Sequence, residues 1–149
     1  MFLWGSATSS FQIEGNIKND FTDYEEKLGY PPYEEGSNHW KTWKDDIDMI
    51  RQLNQNAYRF SLEWSRLQPE PNTVSLEALN RYDAIVDRLL EKGIEPMITL
   101  HHFAHPYWFH DVSPWHTGDS VKRFLDYSDL IFSRLADRVK YWITFNEPV

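Results

Sequence analysis

Three apolar, strand-like runs recur along this chain at nearly even spacing, and that spacing constrains the fold more than any other feature. Comparable points in them, Tyr58, Met97 and Ile143, lie 39 and 46 residues apart. Each interval has room for a strand end, a loop, a helix and a second loop. The interval after Tyr58 also contains a helix-like pattern. Leu76, Leu79, Tyr82, Val86 and Leu89/Leu90 recur at three- and four-residue steps, which puts them on one helical face. Strand–helix alternation of this length requires crossover connections, and crossovers make neighbouring strands parallel. The spacing therefore predicts an α/β fold with a parallel sheet.

The rest of the chain fits that frame. An apolar run over Phe2 to Gly5 reads as a first strand, with a polar loop after it around Gln12, Glu14 and Gly15. The stretch Tyr30 to Ser37 contains Pro31, Pro32 and Gly36 and reads as loop. Asn38 is placed to cap a helix whose buried face is Trp40, Trp43, Ile47, Ile50 and Leu53. Ala57 to Leu62 is the second strand. Ser75 caps the next helix, and Gly93 takes its C′ position. Pro96 to Leu100 is the third strand. A long loop from His101 to Gly118 follows. Asp119 or Ser120 starts a further helix, and Val139 to Phe145 is the fourth strand. The longest loops follow strand ends, where parallel α/β folds place their ligand sites. No Gly-rich phosphate loop follows a strand, which disfavours a dinucleotide-binding sheet. A (β/α)₈ barrel is the preferred architecture, with residues 1–149 supplying about four of its units as part of a single domain.

Composition narrows the partners. A net charge of −8 opposes a nucleic-acid or anionic-membrane surface, since both need clustered Lys and Arg. The absence of cysteine excludes a disulfide framework and thiolate metal sites. No basic leader or long apolar segment opens the sequence, and a cytoplasmic setting is expected. Seven Trp, eight Tyr and nine Phe suit packing and also suit flat sugar or aryl surfaces.

The closing stretch Tyr141-Trp142-Ile143-Thr144-Phe145-Asn146-Glu147-Pro148 reads as a buried strand delivering an amide and a carboxyl at its end. Glycoside hydrolysis needs a carboxylic acid to protonate the leaving oxygen and a second carboxylate across the bond. Glu147 suits the first role, and equally a plain strand-end cap. Asn146 could bind a sugar hydroxyl. Arg59, in mid-strand, must be paired if buried. Its planar fork could hold a carboxylate, or it could form a structural ion pair with Glu63. His101 and His102 follow the third strand, and one of the two could donate to a hydroxyl. With His105, His110 and His116 they also leave a metal site open, although no His-Glu-x-x-His spacing occurs. Gln12 and Glu14 could bind sugar or close their loop. Trp4, Trp64, Phe103, Trp108 and Trp115 could stack on a sugar face or fill the core.

Four segments in order carry a resemblance. They are Phe2-Leu3-Trp4-Gly5-Ser6-Ala7-Thr8-Ser9-Ser10-Phe11-Gln12-Ile13-Glu14-Gly15, Asn56-Ala57-Tyr58-Arg59-Phe60-Ser61-Leu62-Glu63-Trp64-Ser65-Arg66, Thr99-Leu100-His101-His102-Phe103 and Thr144-Phe145-Asn146-Glu147-Pro148. Together the sequence resembles the family 1 glycoside hydrolases, the retaining β-glucosidases and β-galactosidases, from end to end. The resemblance implies Glu147 as general acid/base, Asn146 as partner of the sugar 2-hydroxyl, Gln12 and His102 as holders of the sugar, and Arg59 as support for the nucleophile. It implies a β-linked glycoside substrate and no cofactor. Two departures bear on substrate preference. Phe103 stands where many members have Trp, and Ala104-His105-Pro106 where many have Asp-Leu-Pro. The family's nucleophile lies in a Thr-Glu-Asn-Gly type motif that does not occur in these residues, so the expectation is an N-terminal portion of an enzyme, inactive alone. The alternatives are a non-catalytic carbohydrate-binding or self-associating fragment and a metal-dependent hydrolase using the histidines.

Overall fold

The computed structural model describes residues 2–112 and 115–148. Residues 113 and 114, inside the loop expected over 101–118, lie outside the described residues. Four strands form one parallel sheet in sequence order: β1 (Gly5–Ala7), β2 (Ala57–Ser61), β3 (Glu95–His101) and β4 (Tyr141–Phe145). Among the described residues seven helical segments connect or follow them: α1 (Ser10–Ile13), α2 (Asp20–Lys27), α3 (His39–Gln52), α4 (Trp64–Leu67), α5 (Leu76–Glu91), α6 (Tyr107–Val112) and α7 (Gly118–Leu135).

Strand register decides which residues share a face. Arg59 pairs with Met97, Ser61 with Thr99, Thr99 with Ile143, and His101 with Phe145. Side chains alternate along a strand, so these residues all lie on one side of the sheet. Tyr58, Phe60, Ile98 and Leu100 lie on the other side. They are buried with Ile47 and Ile50 of α3, Ile85, Val86 and Leu89 of α5, and Tyr127, Ile131 and Leu135 of α7. Each such side chain contributes about 1.5–3 kcal/mol by leaving water. Trp64 is at the centre of a ring cluster, stacked on Tyr127 with centroids 4.6 Å apart and packed on Phe109 at 4.8 Å.

The local signals mostly act as their chemistry requires. Ser75 accepts a hydrogen bond from the Ala78 N–H at 3.2 Å, and Gly93 turns left-handed after α5. Asn38 does stand at the N-cap of α3. It does so in a left-handed conformation with no side-chain cap bond, so it turns the backbone without filling the cap. The first strand begins at Gly5 and not at Phe2. Trp4 lies before it, 68% exposed, with its carbonyl accepting the N–H groups of Asn56 and Ala57. Helix α2 falls in a stretch with no strong apolar period. A capping box starts it: Asn19 Oδ1 accepts from the Thr22 N–H, and Thr22 Oγ1 accepts from the Asn19 N–H. The expected long loop after β3 contains α6, which begins directly after Pro106. Among the described residues no helix is long and apolar enough to cross a membrane.

The last strand, expected to be buried, is only partly covered by the described residues. β4 is not fully buried: Tyr141 is 42% exposed, Thr144 is exposed, and so is Glu147. The physical reason is its place at the end of the strand order, with a partner on the β3 side alone among the described residues.

Candidate active site

The strand ends bring four of the five candidate residues together. Arg59, half-buried on β2, donates from Nε to Thr99 Oγ1 at 3.0 Å and from Nη2 to Asn146 Oδ1 at 2.6 Å. These bonds tie β2, β3 and the end of β4 into one polar crosslink. Asn146 is fixed a second time, through its N–H, which donates to the His101 carbonyl at 2.9 Å. Glu147 follows immediately, in a left-handed conformation with φ 47°. A non-glycine residue held there costs on the order of 1–3 kcal/mol. It also breaks the extended alternation, so Asn146 and Glu147 are released from the rule that neighbours face opposite sides. Phe103, two residues past the end of β3, has φ 68° and is likewise left-handed.

His102 lies within electrostatic reach of both Arg59 and Glu147. Partial burial lowers its pKa, Arg59 lowers it further, and Glu147 opposes both. The imidazole is therefore held neutral, which leaves one N–H to donate and one nitrogen to accept. Its Nδ1 is buried without a partner. His101 is driven down to about 4 by burial first and then by His105 and His102. It packs edge-on against Trp115, with centroids 5.1 Å apart, and against Phe145 at 5.2 Å.

Gln12 accompanies these four from the first strand. It is exposed on the single turn α1 at the end of β1. The Arg59–Glu63 ion pair is not formed. Glu63 is buried instead among Ser10, Asn19 and Ser65, and accepts from each of them. Of the aromatic candidates, Trp64 is core and Trp4 precedes β1, at the opposite end of that strand from Gln12. Trp108 donates to the Gln68 carbonyl at 2.8 Å. Phe103 and Trp115 retain exposed surface near the strand ends. Among the described residues no three His, Asp or Glu side chains converge to hold a metal ion.

The sequence reading gave Thr99 and Asp20 no role, and it did not foresee the partners of His105 and Glu14. Thr99, fully buried, is the partner of Arg59; the parity of β3 was its only signal. Asp20 accepts the His105 N–H at 2.7 Å, and burial raises its pKa to about 6. His105 is driven by burial to about 4, so at neutral pH its imidazole is uncharged beside the Asp20 carboxylate, and the two side chains form no hydrogen bond at their 3.4 Å separation. Glu14 is raised to about 7 by burial and by Glu63, although Arg66 Nε donates to it at 2.8 Å and Tyr82 OH at 2.7 Å.

Comparison with known proteins follows the same lines. The model of the family described as glycosyl hydrolase family 1 matches residues 1–149. A β-glucosidase A of Thermotoga maritima is 36% identical over an alignment covering 99% of this chain and 35% of that protein. A 1,4-β-D-glucan glucohydrolase of Thermotoga neapolitana is 36% identical, with 99% and 37% covered. Among solved structures, a β-glycosidase from Pyrococcus horikoshii superposes with a TM-score of 0.92 at 44% identity, over 99% of this chain and 35% of its own. The T. maritima β-glucosidase bound to castanospermine gives 0.90 at 37% identity, over 99% and 36%. The chain thus spans little more than a third of the length of the relatives it matches.

Proposed function

The chain belongs to glycosyl hydrolase family 1, and on that premise we propose that it contributes four β/α units, with the proton donor, to a retaining β-glycosidase barrel acting on β-glucosides. The observation that carries this reading is the crosslink from Arg59 to Asn146, the residue before Glu147. It fixes an amide beside a solvent-accessible carboxyl, with a neutral imidazole within electrostatic reach. Relatives named as β-glucosidases support the substrate class.

The chemistry follows from two carboxyls about 5–5.5 Å apart. Glu147 gives its proton to the glycosidic oxygen as that bond breaks. A second carboxylate, supplied outside these 149 residues, attacks the anomeric carbon and forms a glycosyl ester. Glu147, now ionised, takes a proton from water as the water's oxygen attacks the same carbon and releases the ester. Asn146 holds the 2-hydroxyl, and His102 and Gln12 hold the sugar's outer hydroxyls. Arg59 keeps the nucleophile ionised while steadying Asn146. Residues 1–149 alone, with one of the two carboxyls, do not turn over substrate in this account. Measurable hydrolysis of an aryl β-glucoside by the 149-residue chain, above a Glu147→Gln control, would overturn that part.

The acid role has its own test in the full-length protein. Glu147→Gln cripples hydrolysis of glucosides with poor leaving groups and spares activated aryl glucosides, whose departing oxygen needs little protonation. Equal losses on both would count against it.

A further inference from the structure

The two most buried carboxyls among the described residues are Glu14, 3% exposed, and Glu63, 1% exposed, and the chemistry above uses neither. Both converge on α1, the four-residue turn that carries Gln12. A single turn has almost no stability of its own, so its shape must come from outside. Its first end is held by the segment at the end of β2. The Ser10 N–H donates to Ser61 Oγ at 2.7 Å, and Ser10 Oγ donates to Glu63 Oε2 at 3.0 Å. Its other end is held by the helix after β2. Glu14 accepts from Arg66 Nε, and Arg66 Nη2 donates to the Gly15 carbonyl. Tyr82 OH joins the two ends, accepting from the Glu63 N–H at 2.8 Å and donating to Glu14 Oε1 at 2.7 Å. Arg66 also lies over the Trp40 ring, 4.3 Å from its centroid, which limits its movement. Gly15 completes the fit. It has φ +78°, and a Cβ there would strike the Glu35 carbonyl, so no larger residue could end the turn.

We propose that Glu63 and Arg66 are positioning residues for Gln12: they clamp the turn at both ends so that its exposed amide is already placed when sugar arrives. This rests on the reading of Gln12 as a sugar-holding residue. A loosened turn spends part of its time misplaced, and apparent affinity falls by the fraction of time it is competent. A contact made equally to bound substrate and transition state appears in KM, with kcat unchanged. A merely structural role gives the opposite split, because a smaller folded fraction lowers apparent kcat and leaves KM alone.

The test uses steady-state kinetics on an aryl β-glucoside with the full-length protein. Glu63→Gln and Arg66→Lys raise KM roughly tenfold with kcat within about twofold. In a Gln12→Ala background neither adds a further rise, because the residue they act through is gone. Should Glu63→Gln not fold, Ser10→Ala removes one hydroxyl of the same clamp and is expected to move KM in the same direction. A fall in kcat at constant KM overturns the proposal, and so does a KM rise that persists in Gln12→Ala. If Gln12→Ala itself leaves KM unchanged, the sugar-holding reading fails and the proposal with it. Faster amide exchange at Phe11 to Ile13 in Glu63→Gln would then mark the clamp as purely structural.

Discussion

Replacing Glu14 by Gln should change how stability depends on pH, and both sign and size follow from its surroundings. Its carboxyl is buried beside Glu63, with one cation, Arg66, and one hydroxyl, Tyr82, to offset the cost. Burial prevails, and the folded-state pKa rises from 4.5 to about 7. A group whose folded pKa lies above its unfolded value binds its proton more tightly when folded. Its contribution is therefore lost as pH rises from 4.5 through 7. A rise of that size corresponds to about 3 kcal/mol. The amide of the variant would resemble the protonated acid, keeping the Tyr82 bond and having no charge to desolvate. Urea denaturation of wild type and Glu14→Gln between pH 4 and pH 8 measures the difference. The two proteins should be of similar stability near pH 4, with the variant gaining on wild type by about 3 kcal/mol by pH 8. The difference also cancels Asp20, His101 and His105, which titrate in both proteins. A constant offset across this range, or a wild type that gains on the variant as pH rises, would refute the reasoning.

Other outcomes follow from the same physics. His101 and His105 have folded pKa values of about 4, below their ordinary 6.5, so stability present above 6.5 is lost as pH falls toward 4. His101→Gln should remove its share of that acid loss, about 3 kcal/mol, in the same titration. Thr99→Val strips the acceptor from Arg59 Nε and should cost about 1–3 kcal/mol, while Thr99→Ser, keeping the hydroxyl, costs less. Thermal unfolding of the pair would separate the hydroxyl from the methyl. Trp64→Ala opens the centre of the aromatic cluster and should cost about 3–5 kcal/mol by denaturant titration. A loss under about 1 kcal/mol would mean that the cluster closes over the gap.

Much of the fold was legible because its signals are local. The β2 and β3 runs are apolar and bounded by loops, and the Leu76–Leu90 stripe is a helix wherever it is placed. Helix α2 was missed because none of its residues is buried and its apolar period is weak. Its real signal, Asn19 three residues before Thr22, is a capping box without the usual acid. Helix α6 was hidden among aromatics, although Pro106 at its start is a helix-entry residue. In the candidate site, Arg59 declared itself as a charge in an apolar strand. Its true partners did not, because Thr99 and Asn146 lie 40 and 87 residues away and only strand register joins them. The Glu63 alternative had sequence proximity in its favour. It failed because Glu63 is taken up by Ser10, Asn19 and Ser65. Glu147 is exposed among the described residues, where the strand before it pairs with β3 alone.

Chemical rescue tests the central claim, that Glu147 is the acid/base of a retaining glycosidase, most directly. In the full-length protein, Glu147→Ala should still form the glycosyl ester from an activated aryl β-glucoside and then stall, since no base activates water. Azide needs no base, so it should attack the anomeric carbon and restore turnover. The expected product is the β-glucosyl azide, with configuration retained. Absence of rescue at an intact fold, or an azide product of the α configuration, would contradict the account.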